Sequence, residues 1–179
     1  MSRVLVLQSS ARKKGHTSIL VEAFIKGAIK KGHQIESINV HFLDIKGCLG
    51  CRSCQNNGGR CIQKDGMINI YSKLFEADII VLASPIYFYT WNAQMKAVLD
   101  RMFAVERQLQ NKTFYLITTG AALDESYFDI MKASFEKFVM CFRAGGNIVG
   151  GYVLGAKEGD RQSEESIYIA NAYELGKKI

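Results

Sequence analysis

The sequence predicts a doubly wound α/β protein: a five-stranded parallel sheet with helices on both faces. Three observations carry that prediction. Short continuous apolar runs such as "RVLVLQ" and "DIIVLAS" recur along the chain, as expected of strands buried on both faces. Each run is followed by a stretch whose apolar residues fall at helical spacing. The order is strict, strand then helix five times, which is the pattern of a parallel sheet joined by crossover helices.

The elements follow in order. Arg3 to Gln8 reads as the first strand. From Thr17, the residues Leu20, Ala23, Phe24, Gly27 and Ala28 share one helical face, and Gly32 is placed to stop that helix. Gln34 to Val40 alternates as a strand. Met67, Ile70, Tyr71, Leu74 and Phe75 form the next amphipathic helix. Asp78 to Ser84 is the strongest buried strand, and its helix carries Met95, Val98, Leu99, Met102 and Phe103. Thr113 to Thr119 is the fourth strand, followed by a helix from Tyr127 to Phe142. Gly146 to Gly155 is the fifth strand, and Ser163 to Lys178 the last helix.

The 179 residues are expected to form a single domain over residues 1–179, with a cysteine-rich loop insertion at 47–62. One proline (Pro85) and no Ser- or Gln-rich stretch argue against a linker. The N-terminus lacks a signal-peptide pattern, and no apolar run approaches the ~20 residues that span a bilayer. The expectation is a cytoplasmic protein with no membrane partner. Net charge is +6, but the basic residues are scattered apart from "ARKK" and "IKK". No nucleic-acid partner is therefore expected.

Parallel sheets of this kind bind ligands beyond the carboxyl ends of their strands. The loop after the first strand, "QSSARKKGHTS", holds Ser10, Arg12, Thr17 and Ser18 and runs into a helix N-terminus. Hydroxyls, a guanidinium and unpaired helix N–H groups suit a phosphate; alternatively, Thr17 is only an N-cap. The loop is neither a dinucleotide fingerprint nor a Walker loop, so a monophosphate fits it best. After the third strand, "SPIYFYTW" crowds Tyr87, Phe88, Tyr89 and Trp91 onto the sheet's functional edge, favouring a flat ligand; alternatively, they cover the helix start or a subunit contact. After the fourth, "TTGAALDES" offers Gly120 for close backbone approach. His33 and His41 read as surface residues, and Cys141 as a small buried apolar residue.

Together "SSARKKGHTS", "ASPIYFYTWNAQMKAVLDR" and the "TTG" loop resemble the flavodoxin-like NAD(P)H-dependent FMN reductase family, over nearly the whole chain. The cysteine stretch, C-x2-C-x2-C-x6-C through Cys48, Cys51, Cys54 and Cys61, resembles the compact motif of its iron–sulfur flavoprotein branch. The resemblance implies that Ser10, Arg12, Thr17 and Ser18 hold the FMN phosphate. It implies that Pro85, Ile86, Tyr87 and Phe88 line the isoalloxazine and ribityl chain, and that Thr119 and Gly120 approach the pyrimidine edge. It further implies a 4Fe–4S cluster on the four cysteines and a homodimer or homotetramer. Departures from the family pattern are Ala11 for proline, His16 for asparagine, Tyr89 for a small residue and Gly66 for an acidic one.

On their own chemistry the four thiols suit an iron–sulfur cluster, a structural zinc, or a reduced or disulfide-linked loop without metal. The expected activity is an FMN-dependent oxidoreductase that takes electrons from NAD(P)H and passes them to a small-molecule or protein acceptor, with no catalytic side chain assigned. Two other readings stay open: an electron carrier reduced only by a protein partner, and a phosphate-ligand sensing module without redox chemistry.

Overall fold

The computed structural model describes residues 1–121, 125–155 and 167–179. Five parallel strands form the sheet: β1 (Arg3–Gln8), β2 (Gln34–Asn39), β3 (Ile79–Tyr87), β5 (Thr113–Thr119) and β6 (Ile148–Gly155). They run in the order β2-β1-β3-β5-β6. A two-residue strand, β4 (Thr90–Trp91), pairs antiparallel with the end of β3. The helices are α1 (His16–Lys30), α2 (Ser53–Asn56), α3 (Met67–Glu76), α4 (Ala93–Arg101), α5 (Asp129–Cys141) and α6 (Ile167–Lys178).

The period of two along each strand divides the core between two faces. Leu5, Leu7, Ile80 and Leu82 point to the face covered by α3, α4 and α5, where they meet Ile70, Leu74, Val98 and Phe135. Val4, Val6, Val81 and Ala83 point to the other face, against Leu20, Phe24 and Ala28 of α1 and Ala172 of α6. α1 and α6 pack with their backbones nearly touching. A Cβ added at Gly27 would lie 2.1 Å from the Tyr173 carbonyl oxygen, and one at Gly176 would lie 2.1 Å from that of Phe24.

The structure bears out the predicted sheet and corrects several details. The segment before α5 is a 3-10 turn, Glu125–Phe128, so the α-helix begins at Asp129. Residues 163–166 of the last predicted helix lie outside the described residues. Phe75 and Phe103, predicted on apolar helix faces, are 41% and 40% exposed; α3 turns only a narrow stripe to the sheet, and Phe103 lies past the end of α4 in a 3-10 turn, Met102–Val105. Trp91 leaves the aromatic rim: it is buried, and its indole N–H donates to Ser134 Oγ at 2.9 Å. Cys141 is exposed rather than buried, on the outer side of α5. His33 is half-buried: its Nδ1 accepts the Ser2 N–H, and its Nε2 bonds the Ile179 carbonyl at 2.7 Å.

Candidate functional site

The parallel register places three loops side by side at the carboxyl edge: those after β1, β3 and β5. Direct contacts tie each to the others. Asn92 Nδ2, from the loop before α4, donates to the Ser9 carbonyl at 2.7 Å. The Thr17 and Thr119 hydroxyls are 2.7 Å apart, joining the first loop to the third. Thr118 Oγ1 donates to the Ser84 carbonyl, and a Cβ at Gly120 would stand 3.3 Å from Ile86 Cβ. The predicted residues of the three loops therefore meet at one edge.

The first loop wraps around the backbone of Arg12. Its carbonyl accepts from Ser10 Oγ, Ser18 Oγ and the Gly15 N–H at 3.0–3.1 Å, and its own N–H donates to Ser10 Oγ. Gly15 is the N-cap of α1 and offers no side-chain cap, so the N–H groups of the first turn keep their capacity for an anion. Thr17 is inside the helix, which removes its reading as a mere cap. Ser10, Thr17 and Ser18 are buried and Arg12 is exposed. A Cβ at Gly15 would fall 2.9 Å from Arg12 Cβ, so the tight wrap depends on that glycine.

The second loop is a hairpin. Ile86 pairs with Trp91 and Tyr87 with Thr90, leaving Phe88 and Tyr89 as a two-residue turn with φ of 50° and 66°. Two positive φ values are the type I′ signature, normally filled by Asn and Gly; bulky residues there are strained. Phe88 is 98% exposed, and Tyr89 stacks on Tyr127 at 5.9 Å between centroids. Ile86, Phe88, Tyr89, Gly120, Tyr127 and Phe128 line a mainly apolar groove of about 280 Å³.

Sequence reasoning missed the residues that hold these loops. Asn92 caps α4 by accepting the Met95 N–H and is itself buried. Asn39, at the end of β2, donates to the Ser10 carbonyl at 3.0 Å. Gln8 ends β1 with a buried side-chain oxygen that has no partner among the described residues. Gln8 and Asn39 close their strands, and an amide side chain at a strand's end was the available signal for them; Asn92 gave none.

FMN suits this edge: hydroxyls and a helix N-terminus for its phosphate, an apolar groove beside them for its ring, and a buried acceptor at Gln8. The cysteines are different. Cys48 and Cys51 are exposed, Cys54 is buried, and Cys61 is half-buried. Hydrogen bonds from Ser53 hold the Cys51 thiol below its ordinary pKa. Four thiols are suitable donors for a cluster, but among the described residues no three His, Cys, Asp or Glu side chains form a metal-holding group. The donor chemistry is that of a cluster, with the thiols not gathered into one group among the described residues.

At the base of this loop Arg101 and Asp65 form a bidentate ion pair, at 2.8 and 3.1 Å, with side chains 1% and 3% exposed. Burial opposes the Asp65 carboxylate, but bonds from Arg101 and from the Lys46 and Met67 N–H groups hold its pKa below the usual range. Burial pushes the Tyr71 hydroxyl up to about 12.

Comparison with known proteins bears on the family and the fold. A curated iron-sulfur flavoprotein of Methanocaldococcus jannaschii is 29% identical over 185 residues, covering 99% of this chain and 95% of that protein. An iron-sulfur flavoprotein of Archaeoglobus fulgidus is 32% identical over 121 residues, covering 66% of this chain and 59% of its own length. Among solved structures, an NAD(P)H:quinone oxidoreductase from Methanothermobacter marburgensis superposes with a TM-score of 0.77 at 16% identity, covering 99% and 95% of the two chains. An azoreductase from Bacillus anthracis superposes with a TM-score of 0.77 at 12% identity over the full length of both. These two likenesses show a shared flavodoxin-like fold. The model of the NADPH-dependent FMN reductase family matches residues 2–151, and the chain belongs to that family.

Proposed function

We propose that the protein is an FMN-dependent oxidoreductase that takes electrons from NAD(P)H and passes them to an acceptor. The observation that carries this reading is the three-loop edge, in which an uncapped helix N-terminus adjoins an apolar groove. Ser10, Arg12, Thr17 and Ser18 would hold the FMN phosphate. Pro85, Ile86, Tyr87 and Phe88 would flank the ring and ribityl chain, and Thr119 and Gly120 would meet the pyrimidine edge.

Bound FMN supplies the hydride and electron chemistry. The chain's own part is to bind and orient. Ser10 and Ser18, each donating to the Arg12 carbonyl, can turn a hydroxyl to phosphate without rebuilding the loop. Asn92 and the Thr17–Thr119 pair fix the distance between phosphate loop and groove. Tyr89 and Tyr127 wall the groove and limit what can stack there.

The test is to load the protein with FMN and add NADPH or NADH without oxygen. Bleaching of the oxidised-flavin colour at a rate that rises with nucleotide concentration is expected. A flavin that binds but is bleached only by a reduced protein partner would favour the electron-carrier reading instead.

The iron-sulfur flavoprotein relatives and the cysteine spacing support a 4Fe–4S cluster on Cys48, Cys51, Cys54 and Cys61, which would require these thiols to draw together. Iron and sulfide analysis of protein purified without oxygen decides it, with about four irons per chain expected if the cluster forms. The exposed tip at Phe88, with the half-exposed Tyr87 beside it, supports a homodimer or homotetramer, which sedimentation would read directly.

A further inference from the structure

Protein contacts close the cysteine loop at its base and along its length. Arg101 Nη1 donates to Asp65 Oδ2 at 2.8 Å and to the Lys46 carbonyl at 2.9 Å, so one guanidinium grips both ends of the loop. The Lys46 N–H adds a bond to Asp65 Oδ2, and the Met67 N–H one to Oδ1. The Gly66 N–H donates to the Asp44 carbonyl at 2.9 Å, and Gln63 Nε2 to the Gly47 carbonyl at 3.0 Å. Further out, Gln55 Nε2 donates to the Phe103 carbonyl, while Gln108 Nε2 donates to that of Gly58. Within the loop, the Gly59 N–H closes on the Cys54 carbonyl. Cys61 lies close enough to Tyr71 and Arg101 to influence the ionisation of both, and the Tyr71 hydroxyl donates to the Arg101 carbonyl.

We infer that Arg101 is the positioning residue of this loop. With Asp65 it holds the two ends of the segment together and divides its thiols into an inward pair, Cys54 and Cys61, and an outward pair, Cys48 and Cys51. The bidentate fork explains why arginine is used. Lysine has a single point of charge and cannot reach both carboxylate oxygens and the Lys46 carbonyl together. This inference does not depend on flavin binding.

The test is timed alkylation of reduced, metal-free protein with N-ethylmaleimide, read cysteine by cysteine by peptide mass spectrometry. The exposed Cys141, on the far helix, serves as the internal reference. Cys48 and Cys51 should react at least as fast as Cys141, and Cys54 and Cys61 at least about tenfold slower than Cys141, as protection by local structure requires. In Arg101→Gln, the inward pair should accelerate to the outward rate while Cys141 is unchanged. Should that variant fail to fold because Asp65 is left unpaired, the double variant Asp65→Asn/Arg101→Gln removes both charges and is read the same way. Equal rates at all four loop cysteines in the wild type would overturn the inference. So would continued protection of Cys54 and Cys61 in a folded variant.

Discussion

At the scale of single residues, the Asp65–Arg101 pair is the most deeply buried ion pair among the described residues. Its side chains are almost fully excluded from water, and removing one partner of a buried pair costs about 3–5 kcal/mol. Asp65 has a folded-state pKa below the ordinary carboxylate value. Its contribution is therefore complete above pH ~4 and is lost as pH falls through the depressed value. The denaturant midpoint of the wild type should hold steady near neutrality and fall in acid. Asp65→Asn should begin less stable and show a shallower acid loss; equal acid slopes would count against the pair. Asn92 matters at the same scale. Asn92→Ala removes a helix cap and strands the Ser9 carbonyl, so a loss of about 1–3 kcal/mol in stability is expected. FMN affinity should fall with it. Neither residue stood out in the chain as written, because a lone Asn before a helix or an Asp after a cysteine run reveals no partner until the fold supplies one. The loops themselves were legible, since hydroxyls, glycines and aromatics cluster there in short stretches.

At the scale of elements, the strands were legible because two-sided burial writes itself as unbroken apolar runs, as in Ile79 to Ala83. The hairpin was not: Phe88 and Tyr89 occupy a turn that usually announces itself as Asn-Gly. Since Phe88 is 98% exposed with a positive φ, Phe88→Asn gives up little packing and relieves strain of about 1 kcal/mol. A raised melting temperature is expected, and a lowered one would show that the aromatic is held by contacts outside the chain. Gly27 shows the opposite sensitivity. Its helical position looks like an ordinary apolar site, but α1 and α6 approach so closely there that Gly27→Ala drives a methyl against the Tyr173 carbonyl. Overpacking of this kind should lower stability by about 2 kcal/mol or more, measurable by urea unfolding. Cys141 and Trp91 were misjudged for a related reason: helix faces and hairpin ends turn on local geometry that composition does not encode.

At the scale of the whole molecule, two sites share one fold. The three-loop edge is assembled by the parallel sheet, because register alone brings the ends of β1, β3 and β5 together. The cysteine loop instead hangs from the Arg101–Asp65 base, outside the alternation of strand and helix, so the logic that reads the sheet cannot place its thiols. The central claim is that the uncapped start of α1 holds the phosphate of FMN. The most direct measurement is a titration of flavin-free protein with FMN and, separately, with riboflavin, which differs in lacking the phosphate. FMN should bind at least about a hundredfold more tightly, the equivalent of one or two charge-assisted hydrogen bonds. Equal affinities, or no binding of either, would contradict the account.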